Sequence, residues 1–339
     1  GLVMDSAGNL FGTTELGGAS ANCGTTGCGT VFELVKNSNG SYTEAVLYSF
    51  TNSGGDGALP FSDLTIDTLG NLYGTTFAGG GGSCTNTSSG VSESGCGAVF
   101  ELVNNSNGSY TEKVLHAFTR TGGDGANSYA GMVMDSSGNL YGTTYVGGTA
   151  GNGTVFELMQ NADGTYTSQV LYSFKGNDGA NPYSALMIDG SHNLYGTTTA
   201  GGTLGYGTVF ELVKNSNGSY SETVLHNFRG TNGNMPEGVL IKDSAGNLYG
   251  TTYLGGSGSS TSCTSLSSAG CGTVFEMLKN SDGTYTENVL YSFTASGGDG
   301  AFPSADLVMD SSGNLYGITS AGGLGVGTIF KMPWVPVNA

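Results

Sequence analysis

The chain has 339 residues, 62 of them Gly, yet it carries 18 Tyr and 15 Phe, an aromatic load that disordered Gly-rich sequences lack. Nine Lys and Arg stand against 26 Asp and Glu, a formal charge of −17. No basic face is available to displace counterions from a phosphate backbone, so nucleic acid is excluded as a partner, and anionic membrane surfaces are disfavoured on the same ground. No apolar run approaches the ~20 residues of a spanning helix, so membrane insertion is not expected.

The chain opens at Gly1 inside an apolar, strand-like run without initiator Met or leader, and a precursor segment is expected before it. The phrase G-N-L-F-G-T-T follows at residues 8–14 and returns as G-N-L-Y-G-T-T at 70–76, 138–144 and 246–252, with variants at 192–198 and 313–319. An aspartate precedes each copy: Asp5, Asp67, Asp135, Asp189, Asp243 and Asp310, at spacings of 62, 68, 54, 54 and 67 residues. A recurrent period of this size marks a repeat architecture, with units starting near 2, 63, 131, 185, 238 and 306.

Each unit reads as four strands, shown most plainly by the third. A short apolar strand at 131–135 runs through a D-S-S-G-N turn into a second strand at 140–145. A glycine-rich loop follows, then a third strand, G-T-V-F-E-L, at 153–158. An N-A-D-G turn, whose Asp-Gly supplies positive φ, leads to the fourth strand at 166–174, ending V-L-Y-S-F. A D-G-A-x-P loop then returns the chain to the next unit. Four antiparallel strands in about 40–55 residues is the size of a propeller blade, and strands apolar on both faces suit a sheet between two others. A sandwich would space its strands irregularly, and a β-helix would need coils of roughly 20–30 residues. The expected fold is all-β: a β-propeller of about six four-stranded blades, one domain over residues 1–332 with a tail at 333–339. The sixth blade is incomplete within the chain. It stops after its third strand at 327–332, and Pro333 and Pro336 make the tail a poor strand. A strand preceding Gly1, the tail around Trp334, or a neighbouring molecule would have to cover that open edge.

Six cysteines fall as local pairs: Cys23 with Cys28, Cys84 with Cys96, and Cys263 with Cys271. Each pair sits in a Gly/Ser/Thr-rich insertion just before a G-[TA]-V-F strand. Zinc would need CxxC or added His spacing, so disulfides are expected, and with them an oxidising compartment. They close loops of only six to thirteen residues and would stiffen those loops rather than hold the fold together.

The linked motifs G-N-L-Y-G-T-T, G-G, G-T-V-F-E-L, L-Y-S-F and D-G-A-x-P resemble the Gloeo-Verruco tandem repeat, a bacterial family, over essentially the whole chain. The resemblance implies an exported, often surface-anchored bacterial protein and brings no catalytic residues to carry over. Departures are local: Ala98 stands in place of Thr, Asn232 in place of the return-loop Asp, and Lys331 in place of Glu.

Enzyme motifs such as HExxH, GxSxG, a Walker loop or an EF-hand loop are absent from the sequence. The run at 323–327 has the look of a dinucleotide loop but joins two strands, so it reads as turn chemistry. His116 and His226 replace the Tyr of L-Y-S-F, and His192 lies in a tight turn, so all three read as structural. Glu33, Glu101, Glu157, Glu211 and Glu276 share one strand position. Their equivalence points to upkeep of the repeat, since an acid–base pair needs two different environments. The turn aspartates are placed to accept backbone N–H bonds. Tyr42, Tyr110, Tyr166, Tyr220 and Tyr285 flank the hairpins, where cross-strand packing competes with sugar stacking. The sequons at Asn39, Asn86, Asn107, Asn152 and Asn217 are formal matches, expected to be unmodified in a bacterium.

Connectivity puts the short turns on one rim and the second-to-third loops with the blade returns on the other. The second rim carries the length variation, the cysteines and the return aspartates Asp56, Asp124, Asp178 and Asp299. It is the expected ligand rim, for carbohydrate or protein, with a hard cation such as Ca²⁺ as a further candidate there. The residues favour a secreted or cell-surface binding or scaffold module over an enzyme. An extracellular polysaccharide-active enzyme, and a polymer subunit self-associating through the sixth blade, are the alternatives.

Overall fold

The computed structural model describes residues 1–88, 91–258, 263, 270–323 and 325–333, and is all-β apart from one short 3-10 turn. Leu324 and the tail residues 334–339 lie outside the described residues. So does the side chain of Asn86. The described strands form six blades of a β-propeller. Two compact units, Gly1–Phe174 and Lys175–Ala339, hold three blades each.

In the first unit the blades are Val3–Met4, Leu10–Thr14, Thr30–Lys36 and Tyr42–Ser49; then Thr65–Ile66, Leu72–Thr76, Ala98–Asn104 and Tyr110–Ala117; then Val133–Met134, Leu140–Thr144, Thr154–Gln160 and Tyr166–Ser173. The second unit holds Met187–Ile188, Leu194–Thr198, Thr208–Lys214 and Tyr220–Asn227, followed by Ile241–Lys242, Leu248–Thr252, Thr273–Lys279 and Tyr285–Ser292. Its last blade has three described strands, Val308–Met309, Leu315–Thr319 and Thr328–Met332. Each blade sheet is antiparallel with its strands in chain order.

The repeated phrase is explained residue by residue. The turn aspartate accepts two backbone N–H bonds on one oxygen (Asp5 Oδ1 from Ala7 and Asn9, 2.9 and 2.8 Å) and the Asn9 side chain on the other. That asparagine then receives the backbone N–H that ends the third strand, as Lys36 does to Asn9 and Lys279 to Asn247. The glycine before Thr-Thr leaves room for the phenylalanine of the third strand: a Cβ on Gly74 would lie 2.5 Å from the Phe100 ring. The first threonine reaches the next blade, Thr75 Oγ1 donating to the Ala130 carbonyl at 2.8 Å. The second pairs with the threonine opening the third strand, as Thr144 does with Thr154 at 2.8 Å. In the second blade, where Ala98 stands there, the hydroxyl pair is lost and Thr76 Oγ1 keeps the Ala98 N–H, a bond that Thr14 also accepts from Thr30.

The core is laid down by the phenylalanine that closes each fourth strand. Phe50 packs edge-on against Phe100 of the following blade at 5.0 Å, Phe118 against Phe156 at 5.3 Å, Phe228 against Phe275 at 5.2 Å, and Phe293 against Phe330 at 5.2 Å. Both rings of each of the first three pairs are fully buried, a geometry that adds to the burial of two large apolar surfaces.

Three local expectations are corrected. The first strands are two residues long, because the Asp135 N–H is already spent on the Asn139 carbonyl that closes the turn. In the N-A-D-G hairpin only Gly164 takes positive φ, 81°, so the turn is a four-residue one in which the Gly164 N–H bonds the Asn161 carbonyl. The apolar V-L-Y-S-F strand is not apolar toward neighbours on both faces. A β-bulge between the Val99 and Phe100 pairings skips Leu115, and the same slip recurs in all four other complete blades. It turns Leu115 and its equivalents onto the core and leaves Val46 56 % and Val289 39 % exposed.

Candidate functional site

The return loops lock to the long loops by backbone pairing, which puts both on one rim of each unit. Gly57–Ala58 pairs with Ala78–Gly79 just past the next blade's second strand, and Gly125–Ala126 pairs with Val146–Gly147. All three expected disulfides form, Cys23–Cys28, Cys84–Cys96 and Cys263–Cys271, with Cα atoms 5.2, 4.9 and 5.3 Å apart. The insertion between Cys84 and Cys96 is itself a small hairpin, Thr85–Ser88 against Val91–Ser94, which its Ser/Thr composition did not announce. Three disulfides point to an oxidising environment. No helix among the described residues is long and apolar enough to cross a membrane.

Each return aspartate stands in its own loop and caps it. Asp56 Oδ2 accepts the Thr51 N–H and hydroxyl at 2.7 and 2.6 Å. Asp124 Oδ2 accepts the same pair from Thr119, Asp299 Oδ2 from Thr294, and Asp178 Oδ1 accepts the Lys175 N–H. Among the described residues no three His, Cys, Asp or Glu side chains gather as metal ligands would. His116 Nε2 lies 3.2 Å from Asp124 Oδ1, and His226 Nε2 lies 3.0 Å from the Asn232 amide. His192 adopts φ 62° where the sister turns use glycine. The five equivalent glutamates stay within their own blades. There the tyrosine of G-N-L-Y-G lies between the turn aspartate and the glutamate: Tyr141 Oη is 3.2 Å from Asp135 Oδ2 and 2.8 Å from Glu157 Oε1.

Two features of the long-loop rim had no place in the sequence reading. In the first unit, Phe61, Phe77, Tyr129 and Tyr145 form a continuous aromatic cluster. Phe61 lies 5.2 Å from Tyr129, Tyr129 lies 4.6 Å from Phe77 and 5.2 Å from Tyr145, and three of the four rings are half-buried. The signal was available: an aromatic directly after G-T-T, and another three residues past the Ala or Gly-Ala of the return. In the second unit that return position holds Tyr183, Glu237 and Ser304, and burial pushes the Glu237 carboxyl up to about 7.

Six repeated blades, each with short turns at one end and longer loops at the other, three of them cross-linked, define a repeat β-propeller. The chain belongs to the Gloeobacter/Verrucomicrobia repeat family, whose model matches residues 81–269. No curated protein matches the sequence. Among solved structures, a protein of unknown function from Dyadobacter fermentans is similar at 11 % identity and a TM-score of 0.53, covering 97 % of this chain and 92 % of that one. An ancestral GH74 enzyme is similar at 11 % identity and a TM-score of 0.59, covering 99 % of this chain and 42 % of its own. A gluconolactonase from Xanthomonas campestris is similar at 11 % identity and a TM-score of 0.46, covering 97 % and 90 %. At these identities the likeness concerns the fold alone.

Proposed function

We propose that the protein is an exported binding and scaffold module that takes carbohydrate on its long-loop rim. The observation that carries this reading is the half-buried aromatic cluster of Phe61, Phe77, Tyr129 and Tyr145. Partly exposed aromatic rings such as Phe61, Tyr129 and Tyr145 stack on the C–H faces of sugar rings, and the capped return loops hold them in place. The three disulfides support export, and loops of varied length on a rigid scaffold support recognition rather than turnover. The test is titration of the protein with cellohexaose, chitohexaose and mannohexaose, followed by tyrosine fluorescence and calorimetry. At least one sugar should bind, and Tyr129→Ala should weaken it by roughly tenfold or more. Absence of binding to all three, or equal binding by the variant, would discard the reading.

One observation favours an extracellular polysaccharide-active enzyme instead. Burial in a return loop of the second unit pushes the Glu237 carboxyl up to about 7, a poise suited to a general acid. Release of reducing ends from any of these glycans, lost in Glu237→Gln, would establish that reading in place of the first.

A further inference from the structure

The third strand of the sixth blade, Thr328–Met332, pairs with Leu315–Thr319 on one side, and no described strand pairs with it on the other. Nor does a Val-Leu-Tyr-Ser-Phe run occur in residues 333–339. Two places show the effect. Phe330 and Met332 are half-buried, whereas Phe100 with Leu102, Phe156 with Leu158 and Phe275 with Met277, at the same positions, are at most 1 % exposed. Each of these phenylalanines, Phe330 included, already packs on the closing ring of the preceding blade, so the sixth blade lacks the strand beside it. On the fifth blade Tyr291 is 41 % exposed, whereas its counterpart Tyr48 is half-buried beside Glu112 from the next blade's fourth strand.

An open edge of this kind takes up a strand through backbone hydrogen bonds, and the side chains along it choose which strand. The five complete blades show the sequence that fits: Tyr, Thr or Ser, two variable residues, Val-Leu, Tyr or His, one further variable residue, and Phe. The closing Phe and the Leu turned inward by the bulge are the parts that would cover Phe330 and Met332.

The fourth residue of that strand lies directly opposite the third-strand glutamate. Lys113 Nζ stands 3.5 Å from Glu101 Oε2, and the Asn288 amide donates to Glu276 Oε2 at 3.1 Å. In the sixth blade Lys331 occupies the glutamate's place and is exposed. The charge of the edge is reversed there. A strand docked in the register of the other blades would set its fourth residue against an ammonium, and opposite charges directly across a sheet attract. The chain's own fourth strands carry Ala45, Lys113, Gln169, Thr223 and Asn288 at this place, none of them acidic.

We propose that the sixth blade takes up a fourth strand from a partner chain, a segment of this repeat's own fourth-strand type with Asp or Glu as its fourth residue, and that Lys331 selects it. A second copy of this chain offers no such acid and is not the occupant. The site does not depend on the function proposed for the long-loop rim.

The probes are two acetylated, dye-labelled peptides of residues 163–175, one with Gln169→Glu and one with Gln169→Lys, titrated into the 339-residue chain and followed by fluorescence anisotropy. The Glu peptide should bind, and about fivefold more tightly than the Lys peptide, as expected of one exposed cross-strand pair made attractive or repulsive. In Lys331→Glu the order of the two peptides should reverse. The bound Glu peptide should slow amide hydrogen exchange at residues 328–332 and leave the outer strand Tyr110–Ala117 unchanged. Sedimentation of the chain alone should show a monomer. Binding of neither peptide, equal binding of both, or protection elsewhere than 328–332 would each overturn the proposal, and these hold even if Lys331→Glu does not fold. An unchanged order in a folded Lys331→Glu would remove Lys331 as the selector. A dimer protected at 328–332 would give the edge to a second copy and overturn the proposal as well.

Discussion

Between the first and second blades the Tyr48 hydroxyl and the Asp56 carboxylate face Glu112 from the next blade; between the fourth and fifth, the corresponding residues are His226, Asn232 and Glu287. The first interface buries two carboxylates together. Asp56 Oδ1 and Glu112 Oε1 are both inaccessible and without a hydrogen-bond partner, and burial, reinforced by the Asp56 charge, pushes Glu112 up to about 7. In the second, the Asn232 amide lies 3.3 Å from Glu287 Oε2, and Glu287 is raised by burial against the restraint of that amide and of Arg229. His226 is held down to about 4, by burial first and the Arg229 charge second, and so is neutral beside the amide. The repeat conserves the shape of this junction and varies its charge. Where Asp56 faces Glu112 in one copy, the Asn232 amide donates to Glu287 in the other, and Glu112 and Glu287 each keep one buried oxygen without a partner.

The largest effect should come from what the two junctions share. Phe50→Ala and Phe228→Ala each remove a fully buried ring stacked on the next blade, and each should cost about 3–5 kcal/mol in denaturant unfolding. A cost in one junction more than twice that in the other would break the comparison at its root.

Disulfides separate the two more sharply. Cys28 is buried beside Phe50, and its carbonyl accepts the Leu59 N–H, whereas in the fourth blade Tyr206, in a loop without cysteine, accepts the Met235 N–H. Replacing Cys23 and Cys28 by Ser should cost about 2 kcal/mol at most and speed amide exchange at Phe50 and Leu59, with none at Phe228 and Met235. Exchange that quickens equally at both would mean that the disulfide supports the whole fold.

Glu112 and His226 should respond to acid with opposite sign, with Glu287 adding a Glu112-like contribution at the second junction. The folded-state value of Glu112 lies above its unfolded value near 4.5, so its contribution is full below that pH and is lost as pH rises through about 7. The folded-state value of His226 lies below its unfolded value near 6.5, so its contribution is full above that pH and is lost as pH falls through about 4. Each change is on the order of 1–2 kcal/mol once solvent screening is allowed for. Hydrogen exchange corrected for intrinsic rate should therefore slow at Tyr42–Ser49 and quicken at Tyr220–Asn227 between pH 7 and 5. Asp56→Asn should flatten the first response, and Asn232→Asp should give the fourth blade a Glu112-like one. Parallel drift of both segments would sink the assignment.

The repeat, the four strands of each blade, the pairing of the cysteines and the anchoring role of the turn aspartates were legible because each depends on neighbours in sequence. Asp-x-x-Gly-Asn closes a turn within five residues, and an apolar strand bounded by turns pairs with the next. The bulge was hidden because it shows only when strand three is laid against strand four, and it reverses which of two adjacent apolar side chains is buried. The aromatic cluster drew on residues from return loops and strand ends more than fifty positions apart, as with Phe77 and Tyr129, and no local pattern marks their approach. The same holds for Lys242. In sequence it is one cation among nine. Only the stacking of one blade on the next sets its ammonium against an aspartate and a tyrosine 53 and 47 residues earlier, because burial and charge pairing are decided by what the fold brings near and not by what the chain places in line.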